Sequence, residues 1–374
     1  MIHSFRARNY GCLLDVEASL SPLHAFVGPN DSGKSTLLRG LRTLFQFPGD
    51  GFDWTEKGEW LPFDPYIDRT LLEGHFSDTA LPFMLACADE GGWYMVRKAS
   101  DYLEARLSEQ APPSGTEDAD FQSYGKRLHY SGHRTSTGHF TDTSQAERAK
   151  LQKFSRTRLV RFDPDALRAT SGLIPESKSV AFLDERGHGL PGVYFALRNR
   201  DDDTYRKIVD EVRRHFPTIK YLRVKAVTSG SVILEAELVN GTRVEAARFS
   251  EGLLYFLAFA ALRHMAPVPL LLVEEPENGL HPARIAEVVR ILRSLTEEQG
   301  TQVIMATHSP LVVNELKADE VSVVTRDNDA GTRVKRICET PDFEERAKVY
   351  SLGELWIAYA NGVDEAPLLQ GTEP

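Results

Sequence analysis

Cysteine is scarce in this chain of 374 residues: Cys12, Cys87 and Cys338 stand far apart and form no CxxC pair. That spacing suggests neither a disulfide framework nor a zinc site, and it fits a reducing cytosol. Positive charge is the minority sign. Lys and Arg number 44 against 54 Asp and Glu, a formal net charge of −10, which argues against a surface coated all over for nucleic acid. Long apolar runs are missing too. The stretch Tyr255 to Leu262 is too short for a membrane span and reads as a buried helix. Met1-Ile2-His3-Ser4-Phe5-Arg6 lacks the apolar core of a signal peptide, so a cytoplasmic protein without membrane attachment is expected. No internal repeat is visible. No heptad pattern persists over several turns, which argues against long coiled-coil arms. The length suffices for a large core in two or three lobes.

What is present centres on one glycine-bracketed loop. Residues 28–36 read Gly28-Pro29-Asn30-Asp31-Ser32-Gly33-Lys34-Ser35-Thr36, a complete G-x-x-x-x-G-K-[ST] pattern. Gly28 and Gly33 let the backbone curl so that its N–H groups face a polyphosphate. Lys34 can reach the outer phosphates, and the Ser35 hydroxyl is placed to ligate Mg²⁺. His24 to Val27 reads as a short buried strand entering the loop. Leu37, Leu38, Leu41, Leu44 and Phe45 have helical spacing beyond it.

Three later segments share this logic. Leu270 to Glu275 is an apolar run ending in two carboxylates, as a buried parallel strand reads when its acidic end meets a ligand. A core strand followed by a solvated acidic turn is the other reading. Thr301 to His308 is a second apolar strand, ending in a histidine. Between them Pro282 to Gln299 is a helix started by proline and stopped by Gly300, with Ile285, Val288, Val289, Leu292 and Leu295 on one face. Upstream, Ser250-x-Gly252 opens the apolar helix with a hydroxyl and free N–H groups. It reads equally as an anion-binding end or a simple serine cap.

Taken in this order, the segments resemble the ABC-type P-loop ATPases of the RecF, SMC and OLD kind. Residues 28–36 match the Walker A loop, Phe249-Ser250-Glu251-Gly252 a shortened signature, and Leu270 to Glu275 Walker B. Glu275-Pro276-Glu277-Asn278-Gly279-Leu280-His281-Pro282 resembles the OLD-like branch, and Ala306-Thr307-His308-Ser309-Pro310 its switch-histidine segment. The resemblance implies an α/β P-loop fold: an ABC ATPase head with a mainly parallel core sheet, an antiparallel β-lobe and a helical insertion. It implies ATP and Mg²⁺. Gly28, Pro29, Asn30, Asp31, Ser32, Gly33, Lys34, Ser35 and Thr36 would cradle the nucleotide, with Lys34 on the β- and γ-phosphates and Thr36 on the α-phosphate. Ser35 and Glu274 would serve the metal, although Glu274 stands where Asp is usual. Glu275 would activate water and His308 would touch the γ-phosphate. Ser250 and Gly252 would bind ATP held by a second copy, so a homodimer with sandwiched ATP is implied. Gly11 replaces a usual basic residue, and His281 a usual Asp. The family's Q-loop glutamine could be Gln46, Gln110 or Gln122.

The resemblance covers about residues 1–47 and 160–360. It implies one discontinuous head: 1–47 with the β-lobe, loop and first helix; 48–160, a variable lobe with a basic insertion; 161–345, the signature, Walker B and switch-histidine core; and a tail, 346–374. Ile2 to Tyr10 and Leu13 to Leu20 read as paired strands, 48–66 as an irregular excursion, and Asp201 to Phe216 as a helix. Val232 to Leu238 and Thr242 to Phe249 flank the Asn240-Gly241 hairpin signal. Lys126, Arg127, Arg134, Arg148, Lys150, Lys153, Arg156, Arg158 and Arg161 face few acids between 126 and 161. They form a candidate footprint for nucleic acid or an acidic partner, or a solvated helix surface around 144–156. Asp327-Asn328-Asp329 reads as a turn, since too few residues follow for a nuclease domain of the OLD type. The expectation is an ATP hydrolase gating a dimeric switch. By analogy it would be the ATPase of a bacterial anti-phage or DNA-maintenance system with a separately encoded effector, a nuclease being the candidate. A RecF-like DNA-binding repair ATPase and a slow-hydrolysing scaffold are the alternatives.

Overall fold

The computed structural model describes residues 1–46, 68–77, 83–88, 93–96, 152–327 and 331–360. In chain order its strands are β1 (Ile2–Tyr10), β2 (Leu13–Ser19), β3 (Leu23–Val27), β4 (Asp68–Phe76), β5 (Phe83–Ala88), β6 (Trp93–Val96), β7 (Arg158–Val160), β8 (Ser171–Gly172), β9 (Ile219–Thr228), β10 (Ser231–Leu238), β11 (Arg243–Glu245), β12 (Leu270–Glu274), β13 (Gln302–Thr307), β14 (Val321–Asp327) and β15 (Gly331–Arg336). The helices are α1 (Lys34–Gln46), α2 (Pro164–Arg168), α3 (Leu190–Arg200), α4 (Asp202–His215), α5 (Glu251–Leu262), α6 (Pro282–Gln299), α7 (Pro310–Asn314), α8 (Phe343–Arg346) and α9 (Leu352–Ala360).

A six-stranded sheet in the order β15-β14-β3-β13-β12-β7 forms the centre. Its inner pairings are parallel, and β15 returns antiparallel on β14. Strands β3, β12 and β13 are buried at every residue, which is why their sequences are continuous apolar runs rather than alternating ones. Helix α1 lies between this sheet and a second, antiparallel sheet ordered β2-β1-β4-β5-β6. Its Leu37, Leu38, Leu41, Leu44 and Phe45 share a core with Ile2 and Phe5 of β1 and with Leu270, Leu272 and Ile304 of the parallel sheet. At about 1.5–3 kcal/mol per buried side chain, this packing anchors α1 and the loop at its start.

The other face of the parallel sheet carries a larger core built on α3, α4, α5 and α6. Helix α5 is apolar all round and buried from Gly252 to Leu262. Helix α4 starts on the Asp201 carboxylate, which accepts from the Thr204 N–H at 3.0 Å, and turns Tyr205, Ile208, Val209 and Val212 inward. Helix α6 runs from Pro282 to Gln299, with Gly300 in the left-handed region at φ 65°.

The structure departs from the sequence expectations in two places. Strands β4, β5 and β6 extend the antiparallel lobe into a region expected only to be variable. Glycine in β4 weakens the strand signal, yet a Cβ on Gly74 would lie 2.9 Å from Leu44 of α1, so the close approach needs it. The second hairpin strand expected over 242–249 ends at Glu245. A 3₁₀ turn, Ala246–Arg248, then redirects the chain into α5. The 48–66 excursion lies outside the described residues, as does most of the basic run, of which 152–161 is described. Gln110 and Gln122 also lie outside them, so the Q-loop assignment gains nothing. Asp327 ends β14 and pairs with Gly331 of β15, while Asn328 and Asp329 of the expected turn lie outside the described residues. Among the described residues no helix is long and apolar enough to cross a membrane.

His24 ties β3 to β14. The Ser21 hydroxyl donates to the Leu23 carbonyl at 2.7 Å, so His24 Nδ1 donates to Ser21 Oγ at 3.0 Å and Nε2 accepts from Ser322 Oγ at 3.0 Å. Burial, aided by Arg336, pushes the His24 pKa from 6.5 down to about 3. The ring is therefore neutral in the folded chain but protonates in the unfolded chain below pH 6.5. Its contribution is fully present above that pH and is lost as pH falls toward 3, at about 1.4 kcal/mol per pH unit. Chemical denaturation between pH 7 and 4 should show this slope, and His24→Gln should flatten it; an unchanged slope refutes the assignment.

Candidate functional site

Parallel register sets the geometry of the site. Phe26 pairs with Ala306, and Ala306 pairs with Glu274. The chain segments that follow β3, β13 and β12 therefore emerge at one carboxyl edge, carrying Gly28, His308 and Glu275.

The loop from Gly28 to Gly33 is closed to larger residues. A Cβ on Gly28 would lie 2.2 Å from the Val324 carbonyl oxygen, and one on Gly33 would lie 2.4 Å from Thr332 Oγ1. Gly33 has φ 107° and Asp31 φ 63°, both left-handed. The β14–β15 hairpin clamps the loop from outside. Thr332 Oγ1 donates to the Ser32 carbonyl at 2.9 Å, and Arg326 Nη1 to the Asp31 carbonyl at 3.4 Å. Lys34 Nζ donates to the Gly28 and Pro29 carbonyls at 2.8 and 2.7 Å. Burial lowers the Lys34 pKa, against the opposing pull of Glu275, Glu277 and Asp31. Ser35 and Thr36 occupy the first turn of α1, where Cys12 Sγ donates to Thr36 Oγ1 at 3.5 Å.

Glu274 is 5% exposed. Its Oε2 lies 3.4 Å from Arg161 Nη1, while Oε1 is buried without a partner. Burial raises its pKa, opposed by Arg161 and Arg39. Glu275 holds the strained φ of 50°, its N–H donating to the Ala306 carbonyl at 2.8 Å. Asn278 Nδ2 donates to Glu275 Oε2 at 2.6 Å and so orients the carboxylate. His308 Nδ1 lies 4.0 Å from Glu275 Oε1 and 3.5 Å from Glu277 Oε1. Glu277 Oε1 also accepts from Thr307 Oγ1 at 2.7 Å and from the His308 N–H at 3.1 Å, and its Oε2 is buried without a partner.

Ser250 and Gly252 sit at a different end. The Ser250 hydroxyl accepts from the Leu253 N–H at 3.3 Å, so it caps α5, as the plainer of the two sequence readings has it. A Cβ on Gly252 would lie 3.1 Å from the Gly279 carbonyl, four residues past Glu275. Sequence reasoning did not single out Thr332 or Arg326, placed Arg161 only in the basic run, and named Asn278 and Glu277 only within the OLD-like run without a role. A third carboxylate two positions beyond Glu275 was the available signal for Glu277. The others act across long sequence separations or through a side-chain geometry that no spacing announces.

Among the described residues the buried oxygens left without a partner are Ser32 Oγ, Glu274 Oε1 and Glu277 Oε2. All three belong to the segments at this edge. No described group of three or more His, Cys, Asp or Glu could hold a metal by itself. One carboxylate and one hydroxyl, completed by substrate phosphates and water, suit Mg²⁺ better than a dedicated protein cage does. The residues present therefore fit a nucleotide with its cation.

Comparison with known proteins agrees with this geometry. Residues 23–314 match the family model described as "AAA domain, putative AbiEii toxin, Type IV TA system". The chain is similar to the OLD nuclease of Thermus scotoductus (strain ATCC 700910 / SA-01), at 24% identity over 354 residues, covering 88% of this chain and 63% of that protein. It thus spans less than two thirds of that relative's length. A shorter similarity, 34% identity over 113 residues, links it to the thiamine import ATP-binding protein ThiQ of Rhizobium meliloti (strain 1021), covering 26% of this chain and 46% of that one. Among solved structures, an SMC head bound to the C-terminal winged-helix domain of ScpA has a similar fold. Its TM-score is 0.53 at 13% identity, covering 89% of this chain and 96% of that one.

Gly28→Ala should lower the thermal midpoint and abolish the rise that a nucleotide would add, because a fixed backbone carbonyl blocks the new methyl. Overpacking of this kind costs about 1–3 kcal/mol. Gly230→Ala is the control, since nothing lies within 4 Å of a Cβ there. Equal midpoints for the two variants would refute the close approach.

Proposed function

The chain belongs to this AAA-domain family of P-loop ATPases, and from that premise we propose that it hydrolyses ATP as a nucleotide-gated switch. The observation that carries the reading is the clustering of unpartnered buried oxygens beside a glycine-closed loop. Each such group costs about 1–3 kcal/mol unless a ligand compensates it.

Lys34 would leave the Gly28 and Pro29 carbonyls for the β- and γ-phosphates. The loop N–H groups from Gly28 to Thr36 would hold the remaining phosphate oxygens. Ser35 and Glu274 would hold Mg²⁺, which when bound neutralises charge on those oxygens. Glu275, oriented by Asn278, would hold the attacking water and accept its proton. His308 would donate toward the γ-phosphate, positioned through its own backbone by Glu277. Ser250 and Gly252 would meet ATP on a second copy; the exposed place of Ser250 at the N-terminus of α5 supports that reading. The head would combine residues 1–47 and 161–345 around the 48–160 lobe, with 346–374 as a tail, in a cytoplasmic homodimer without membrane attachment.

The similarity to an OLD nuclease supports a role alongside an effector, a nuclease being the candidate, in phage defence or DNA maintenance. A RecF-like DNA-binding role is favoured by one observation, the cations at the described end of the basic run, Lys153, Arg156, Arg158 and Arg161.

Lys34→Ala should weaken binding of a fluorescent ATP analogue by about 100-fold, the equivalent of roughly 3 kcal/mol for a lost charge-assisted contact. Unchanged affinity would sink the loop assignment. Glu275→Gln should keep that affinity, lose phosphate release, and hold dimers by light scattering with ATP. Ser250→Arg should stay monomeric with ATP while still binding it. A Glu275→Gln protein that turns over normally removes the proposed base, and one that stays monomeric at saturating ATP removes the sandwich.

A further inference from the structure

Two cavities of about 420 and 370 Å³ lie beside α1 and share Arg42, Leu159 and Glu185 as a common wall. Strand β7, paired with β12 on one side, supplies Arg158 and Leu159 to them. Five guanidinium groups line the pair: Arg42, Arg156 and Arg158 in the first, and Arg39, Arg42 and Arg161 in the second.

The nearby carboxylates are already committed. Glu185 pairs with Arg42, Glu274 with Arg161, and Asp184 accepts from His188 Nδ1 at 2.6 Å. Nothing of opposite charge is left for Arg158. Among the described residues its one polar side-chain contact is the Met265 sulfur, 3.7 Å from Nη1. It is half-buried, and desolvation lowers its pKa with no carboxylate raising it. Arg39 and Arg156 likewise have no ion pair among the described residues. A partly desolvated guanidinium is costly unless an anion meets it, and its planar fork suits phosphate oxygens. Leu159, Phe182 and Pro267 give the larger cavity an apolar wall beside these cations, as a base or ribose requires.

We propose that this cleft binds a short single-stranded segment of nucleic acid, its phosphates on Arg158, Arg156 and Arg42 and a base against the apolar wall. Two adjoining cavities of about 420 and 370 Å³ have room for two or three nucleotides of a single strand. The inference deepens the nucleic-acid reading above by moving the contact from the open basic run into the cleft. It does not depend on ATP hydrolysis.

The test is fluorescence anisotropy of a labelled twelve-nucleotide single-stranded DNA of mixed sequence, titrated at several salt concentrations. Wild type and Lys34→Ala should bind equally, because the strand does not use the phosphate loop. Arg156→Gln should weaken binding about fivefold, and Arg158→Met with Arg156→Gln about twentyfold. The double variant should also lower the salt slope by about 1.4, the value for two lost phosphate contacts on a single strand. Arg158→Met should leave the thermal midpoint unchanged or higher, since it removes an uncompensated charge and packs on Met265. Lys153→Gln, in the basic run but outside the cleft, should change affinity less than twofold. Wild-type affinity in the double variant overturns the proposal. A loss confined to Lys153→Gln overturns it in favour of the open surface. Equal affinity for the duplex form, or displacement of the strand from Lys34→Ala by micromolar ADP, overturns it in favour of a groove-binding or a small-nucleotide site.

Discussion

The register of three parallel strands is the constraint on which this molecule depends. Because Phe26, Ala306 and Glu274 share a rung, the loop, the histidine and the acidic turn reach one edge without any side chain having to reach far. A slip of one residue between β12 and β13 would reverse the faces of β12. Glu274 would exchange its place beside Arg161 for the opposite face. The Glu275 N–H would also lose the Ala306 carbonyl that holds its strained φ. Gln302 helps to pin this register. Its amide donates to the Ile2 and Ser21 carbonyls at 2.7 and 3.2 Å, and its oxygen accepts from the Ile2 N–H at 2.9 Å, locking β13 to the start of β1.

At this edge the fold leaves buried oxygens without partners, where among the described residues the other buried unpartnered side-chain atoms are arginine nitrogens. Lys34 is buried against carbonyls, Glu274 keeps one oxygen unpartnered, and Glu277 keeps another while bonding Thr307 and His308 with the first. Burial works against each charge: it lowers the pKa of Lys34 and raises that of Glu274. Opposite shifts on a cation and an anion share one cause, the removal of water around each group. A cation and phosphates entering together would offset the desolvation of both groups.

The parts of this site legible in the sequence are those written contiguously. The loop, the two strands and α6 are each a single run whose spacing carries its own meaning, and each lies where expected. The clamp on the loop was not legible. Thr332 meets Ser32 across 300 residues, and nothing local distinguishes that threonine from others. Strands β4 to β6 were hidden for a different reason. The glycine and the buried Glu73 in β4 spoil its alternation, because the strand packs against α1 rather than against a generic core. Ser250 shows a third kind of limit: one hydroxyl at a helix start serves as a cap in the free chain and could equally face an anion, and sequence cannot separate the two uses.

Glu274 belongs to two surfaces at once. It ends β12 at the carboxyl edge of the sheet, and it lines the smaller cavity with Arg39 and Arg161. One of its oxygens is engaged with Arg161 and the other is buried without a partner. Any anion that draws Arg161 into the cleft weakens the contact that now offsets the desolvation of this carboxylate. Any cation held by the free oxygen lessens its need for Arg161. The two effects act on one ionised group, so their coupling is reciprocal by linkage. If the cleft and this edge each take a charged ligand, the two occupancies would influence each other through this single side chain, with no movement of the sheet required.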